Sequence, residues 1–353
     1  MKKRQLISIL LLTCILCSSL ILPSCNTQKS KYVAHSFDYF DTATTITGYE
    51  KDKATFDRTS GEILDLLFEY HRLFTIYHRF EGIENLCTVN ELKYGVHRVV
   101  TVDNRIIEML LYAKEMYRVT DGKLNIAMGS VLSIWHDYRT AGLDEPLEAK
   151  LPPVDMLTEA AEHTNIDALV IDEENSTVWI SDPKTTLDVG AVAKGYAVEM
   201  VARELEAKGI SGYVINVGGN VRTVGTKPNG EKWLAGIENP NTESDEAYVE
   251  YLQLAGESVV TSGSYQRYYT VDGKNYHHII DPQTLLPAEG YLSVSVVCKN
   301  SADGDALSTA LFCMPFDKGL ALVESLEGVD ALWIMSDGSK RYSSGFEKYA
   351  TTP

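Results

Sequence analysis

The stretch from Gly212 to Gly225 restricts the fold more than any other part of this chain. Gly212-Tyr-Val-Ile-Asn-Val217 reads as a strand and runs straight into Gly218-Gly219-Asn220, and Val221-Arg-Thr-Val-Gly225 then reads as more strand. A dinucleotide-binding βαβ unit needs a different glycine spacing and a helix after the turn, so the Rossmann class is set aside. The two glycines can adopt backbone conformations closed to other residues. They form either a plain tight turn or a cradle whose backbone N–H groups face an anion. Asn216 and Asn220 flank the turn, and their amides can bond a base, a ribose or a phosphate.

The remaining patterns agree with a sheet that is not interleaved with helices. Strands are expected at 34–49 (one, or two broken at Asp41), 168–171, 177–180, 232–237, 248–254, 258–261, 265–271, 276–280, 292–298 and 331–335. Helical spacing of apolar residues marks 59–76, 102–118, 154–163, 191–208, 305–314 and 316–326, with Asp103 starting the second and Gly209 closing the fourth. Residues 77–90 and 136–153 are polar or rich in Pro and Gly and read as loops. The sum is an α+β fold with mixed or antiparallel sheets and packed helices.

The N-terminus reads as a targeting segment. Lys2, Lys3 and Arg4 precede an apolar run over 6–22, which stops at Leu22-Pro-Ser-Cys25. The run is short for a span, and a signal peptide over 1–24 is the better reading. Its ending resembles a bacterial lipobox, which would leave a lipidated Cys25 and a short tether over 25–33 ahead of a body at 34–350. A formal net charge of −17 becomes more negative still once the three leading cations are removed. Such a surface argues against nucleic acid as a partner. Cys87, Cys298 and Cys313 remain in the body; an odd count without tight spacing argues against a disulfide scaffold and a zinc knot, and buried thiols are expected.

Four further clusters carry chemistry. Asp188-Val-Gly-Ala-Val-Ala-Lys194-Gly195 leads into the clearest helix, whose N-terminus attracts phosphate; Asp188 either caps that helix or binds a ligand. Asp305 and Thr309 are four apart on one helix face and offer the hard oxygens that Mg2+ takes, while Asp303 is a third ligand or the cap. Thr261-Ser262-Gly263-Ser264 looks like a turn whose hydroxyls suit a phosphate or a flavin edge. His277 and His278 sit on a strand, where neighbours point to opposite faces, so one of them can face a cleft.

Taken in order, Asp188-Val-Gly-Ala-Val-Ala-Lys-Gly-Tyr-Ala-Val198, Asn216-Val-Gly-Gly-Asn220, Thr261-Ser-Gly263, His278-Ile-Ile-Asp-Pro282 and Asp305-Ala-Leu-Ser-Thr309 resemble the ApbE family of flavin transferases. The Phe40-Asp-Thr-Ala-Thr-Thr-Ile46 opening and the 125–135 stretch are similar to it as well. The resemblance implies a T-fold-like body, FAD as bound substrate, Mg2+ as cofactor, and transfer of FMN to a Thr or Ser hydroxyl of a target protein with release of AMP. It implies extracytoplasmic acceptors such as membrane electron-transport subunits, and a protein anchored to a bacterial cell membrane by its N-terminal lipid. An FAD pyrophosphatase and a flavin carrier without chemistry are the alternatives. Residue by residue, it implies Asp305, Thr309 and the Ala191 carbonyl as metal ligands. It assigns the flavin nucleotide to Ala43, Asn125, Met128, Asp188, Lys194, Gly195, Gly218, Gly219, Asn220, Ser262, Gly263 and His278. Asp305, His278 and a metal-bound water are the candidate bases. This chain departs from the family at Ala43, where many members carry methionine, and at Gln283-Thr-Leu-Leu-Pro287, where many read Arg-Thr-Gly-Tyr-Pro.

Overall fold

The structure, a computed structural model, describes residues 29–91 and 99–352. The expected signal segment 1–24 and Cys25 lie outside the described residues. Eight strands form the main sheet: β1 Ser30–Tyr39, β2 Thr42–Glu50, β3 Tyr213–Val217, β4 Asn220–Val224, β5 Ser258–Gly263, β6 Tyr291–Cys298, β7 Asp330–Met335 and β8 Lys340–Tyr342. They lie side by side in chain order, and every neighbouring pair is antiparallel. The sheet is thus a meander with long insertions, and the hairpin β3–β4 turns at Gly218 and Gly219, both with positive φ. The first strand starts at Ser30, inside the segment expected to be tether. Its alternating exposed and half-buried pattern belongs to a sheet edge, whose polar residues look like linker in sequence.

Among the described residues, eight α-helices occupy the insertions: α1 Lys53–Phe74, α2 Leu86–Glu91, α3 Asn104–Val119, α4 Gly129–Asp144, α5 Val154–Ala161, α6 Ala193–Ala207, α7 Ser301–Phe312 and α8 Phe316–Ser325. Two of them correct the sequence reading. Helix α2 lies within the expected loop 77–90; it is one and a half turns long, too short for a periodic signal. Helix α4 runs on to Asp144 through residues expected to be loop, because their charges sit on its solvent and cleft sides rather than ending it. The expected Thr261–Ser264 turn is strand through Gly263, paired with β6. Helix α7 begins at Ser301 and not at Asp305, because Asn300 caps it by accepting from the Ala302 N–H at 2.9 Å.

Helices α1 and α6 bury their apolar stripes on the first half of the sheet, through Phe56, Ile63, Leu67, Ala197, Val201, Ile215 and Val217. Helix α7 does the same on β6 and β7 through Ala306, Leu307, Ala310, Val294, Val296 and Trp333. Each large aliphatic side chain buried this way contributes roughly 1.5–3 kcal/mol. The expected burial of Cys87, Cys298 and Cys313 as free thiols is observed. A polar bolt joins the same layers. Buried Glu199 on α6 accepts from Arg222 Nε on β4 at 3.0 Å and from the Ser301 N–H that opens α7 at 2.9 Å. Both charges are almost wholly enclosed, so removing one partner would strand the other in low dielectric. The bolt holds the N-terminal half of α7 against α6, and the site is built there.

Candidate active site

A cleft of about 680 Å3 opens where α6, α7, the β3–β4 turn and the end of β5 meet. That volume is within the range of small-molecule and cofactor sites. Asn125, Met128, Asp188, Ala191, Lys194, Gly218, Asn220, Ser262, Gly263, His278, Asp305 and Thr309 all line it, although they are drawn from six separate segments.

Asp305 is the centre of the arrangement. It is 3% exposed. One carboxylate oxygen accepts from the Gly195 N–H at 2.8 Å, the other lies 3.4 Å from Asn220 Nδ2 and 3.5 Å from Lys194 Nζ. Gly195 is in the first turn of α6, where backbone N–H groups lack intrahelical acceptors. No side chain of its own segment caps α6. Asp305 therefore caps α6 from a neighbouring helix; Asp188, expected either to cap that helix or to bind a ligand, does not cap it. Asp188 turns back to accept from the Gly190 N–H at 2.9 Å, and desolvation raises its pKa above the ordinary carboxylate value. Gly195 does not line the cleft; it serves by proximity, since a Cβ there would lie 2.4 Å from both Asp305 Cβ and the Ser301 carbonyl oxygen.

Thr309 is one turn further along α7. Its hydroxyl is 3.2 Å from Ser262 Oγ, which also bonds Ser308 Oγ at 2.9 Å. Asp303 points away from this group. It accepts from the Tyr112 hydroxyl at 2.8 Å and is neither cap nor ligand, because two residues along a helix rotate a side chain to the other side. Among the described residues no three His, Cys, Asp or Glu side chains converge as a metal cluster. The Asn220 Oδ1 is buried beside Asp305 without a hydrogen-bond partner.

The two histidines face apart as expected, although the strand, expected over 276–280, runs from Lys274 to His277 and His278 stands in the bend just beyond it. His277 packs its ring on Phe312 and bonds the Ala288 carbonyl, while His278 faces the cleft. The Nδ1 of His278 lies 3.2 Å from the Arg267 carbonyl, which can only accept. That places the proton on Nδ1 and leaves Nε2 as a free acceptor. Desolvation, then the charges of Arg267 and Arg139, hold the imidazole pKa well below its ordinary value.

Several expectations are corrected. The Gly218 and Gly219 N–H groups do not face an anion: the first donates to the Ala43 carbonyl at 3.0 Å, the second to Asn216 Oδ1 at 3.1 Å. Gly219 and Ala43 do not line the cleft. Along β2 the side chains alternate, and Thr42 lines the cleft in place of Ala43. Asn125 lines it but commits both ends of its amide, to the Thr164 carbonyl and the Ala127 N–H. The Gln283–Pro287 loop holds Leu285 at φ 61°, a left-handed conformation that favours glycine. Sequence reasoning missed Thr42, Tyr77, Lys123, His136, Arg139 and Arg267, which also line the cleft. Continuing the helical period past Trp135 would have found His136 and Arg139, since Leu132, His136 and Arg139 share one face of α4.

The profile of the ApbE family matches residues 40–333. An FAD:protein FMN transferase of Klebsiella pneumoniae is 33% identical over 272 residues, 74% of this chain and 81% of that protein. One from Treponema pallidum is 33% identical over 261 residues, 70% of each. The crystal structure of the ApbE protein from Thermotoga maritima superposes with a TM-score of 0.79 at 25% identity, covering 92% of this chain and all of that one. The flavin transferase ApbE of Vibrio cholerae shares the fold, with a TM-score of 0.74 at 24% identity over 91% of this chain and 99% of its own. An eight-stranded antiparallel meander with Asp305 and Gly195 joined at the wall of one cleft, and five motifs in one order, are thus found in a chain that belongs to the ApbE family.

Proposed function

We propose that this protein is an FAD:protein FMN transferase. It moves FMN from FAD to a Thr or Ser hydroxyl of an acceptor protein and releases AMP. One observation carries the reading: Asp305 and Thr309 share a cleft with the N-terminal end of α6. The relatives named above bear that activity in their names.

The donors fit a small hard cation such as Mg2+. They are all oxygens: the Asp305 carboxylate, the Thr309 hydroxyl and the Ala191 carbonyl. A cation there would neutralise charge on the phosphates, whose negative oxygens otherwise repel an incoming hydroxyl. Lys194, 3.0 Å from the Gly190 carbonyl and beside Asp305, adds a second positive charge to the same wall. His278 is neutral at physiological pH and presents Nε2, so it can accept a hydrogen bond from the acceptor hydroxyl and orient it. Its depressed basicity makes it a weak base until phosphate binds near it.

The decisive experiment incubates the full chain with FAD, Mg2+ and candidate acceptor proteins and weighs every product. One covalent FMN gained by an acceptor supports the transferase. Free FMN and AMP alone indicate an FAD pyrophosphatase, and intact bound FAD indicates a carrier.

The protein is further proposed to be an extracytoplasmic lipoprotein anchored through Cys25, with acceptors among membrane electron-transport subunits. The basic start, the apolar run and Leu22-Pro-Ser-Cys25 support this. Among the described residues no helix is long and apolar enough to cross a membrane. Labelled palmitate should enter the wild type and not Cys25→Ser.

A further inference from the structure

Two arginines line the cleft without a carboxylate partner. Arg139 projects from α4, and Arg267 from the segment before the Tyr268–Val271 strand. Among the described residues neither has an Asp or Glu oxygen within ion-pair distance, in a protein with 49 acidic and 32 basic side chains. Each is oriented by a neutral contact instead. Arg139 Nη2 lies 3.1 Å from His136 Nδ1, and Arg267 Nη2 donates to the Asp41 carbonyl at 3.1 Å. These contacts aim the guanidinium groups without neutralising them. Desolvation, then the Arg267 charge, disfavour the charged form of Arg139, and Tyr77 and Asp188 offset them only in part. Like charges gathered in a partly desolvated wall are unfavourable until an anion arrives. A guanidinium matches phosphate oxygens with two parallel N–H bonds.

We infer that Arg139 and Arg267 form a phosphate-binding subsite of the cleft, separate from the Asp305–Thr309 group, that grips one phosphate of the flavin dinucleotide. The inference rests on the transferase reading for the identity of the ligand. The phosphate belongs either to the FMN half or to the AMP half, and the two are separable by experiment.

The test is equilibrium binding to the full chain in the presence of chelator, so that no chemistry occurs. The paired probes are FMN against riboflavin and AMP against adenosine. Charge-assisted hydrogen bonds of this kind predict that the phosphorylated member of one pair binds roughly tenfold to a hundredfold tighter. Arg139→Gln and Arg267→Gln should each cut that preference by about tenfold while leaving riboflavin or adenosine affinity unchanged. Arg→Lys at either position should recover part of it, since the charge returns without the planar fork. Retained binding of the unphosphorylated partner also certifies that each variant is folded. The inference is overturned if wild type shows no preference in either pair, if the double Gln variant keeps it, or if both members weaken equally. FMN transfer is scored separately, so a chain that discriminates phosphate yet transfers nothing refutes the transferase reading and not the subsite.

Discussion

The Gly195 N–H donates to Asp305 Oδ2 at 2.8 Å, joining two helices whose residues are 110 positions apart. The bond caps α6 with a carboxylate from α7 and fixes that carboxylate at the cleft wall. Its length depends on Gly195 having no side chain. Gly195→Ala would bring a methyl into Asp305 Cβ and the Ser301 carbonyl, neither of which can move without shifting α7. Overpacking of this kind costs about 1–3 kcal/mol. Urea unfolding should report that loss, and FMN transfer should fall with it; an unchanged midpoint and rate would show that the helices separate freely.

Asp305→Asn keeps the shape and an oxygen for the Gly195 N–H but removes the charge. If this carboxylate helps hold a cation against the phosphates, transfer should fall by about a hundredfold or more. FAD binding in chelator should persist. Wild-type turnover by the variant would remove Asp305 from the chemistry.

Gly218→Ala tests how the β3–β4 turn shapes the cleft. Gly218 has φ 54°, and a Cβ there would meet Thr42 Oγ1 at 2.3 Å. The left-handed backbone and the clash together should cost about 1–3 kcal/mol. Because Thr42 lines the cleft, FAD should also bind more weakly. Loss of stability without any change in FAD affinity would mean that Thr42 plays no part in the ligand wall.

Stability should fall as pH drops below the ordinary histidine value. His277 Nδ1 accepts from the Ile279 N–H at 3.2 Å while Nε2 faces the Ala288 carbonyl, and His71 Nδ1 accepts from the Phe40 N–H at 3.2 Å. Both rings must be neutral to do so, and desolvation lowers both pKa values from 6.5. Below about pH 6.5 the unfolded chain therefore binds protons that the folded chain does not. The histidine contribution is complete above that pH and is lost progressively as pH falls toward the folded-state values. Urea unfolding from pH 7.5 to 5.5 should show this slope, and His277→Gln should make it shallower, with His71 and His278 carrying the remainder. An equally steep slope in the variant would assign the effect elsewhere.

Much of this was legible in the chain. The antiparallel hairpin at Gly218-Gly219 follows from a strand, two glycines and a second strand, all local features. The period-3.6 stripe of α6 and the N-cap Asp103 of α3 are likewise local. His277 and His278 face apart as neighbours on a strand would, although the strand itself ends at His277.

Other features are not local, and the residues themselves say why. An Asp at position 305 reads as ordinary helix polarity until its partner across α6 is known. Gly218 and Gly219 look like an anion cradle, but whether their N–H groups are free depends on Ala43 and Asn216, and both are already bonded. Arg139 and Arg267 carry no motif; their meaning lies in the absence, among the described residues, of a carboxylate within ion-pair distance, which no spacing encodes.

By itself the sequence determined most of the elements, the α+β class and the family, because backbone periodicity and turn chemistry act over a few residues. Only the tertiary structure decided that Asp305 caps a distant helix, that Thr42 and not Ala43 meets the cleft, and that two guanidiniums stand there unpaired. Hydrogen-bond satisfaction and charge pairing are settled between segments far apart in the chain, so they become visible only once those segments touch.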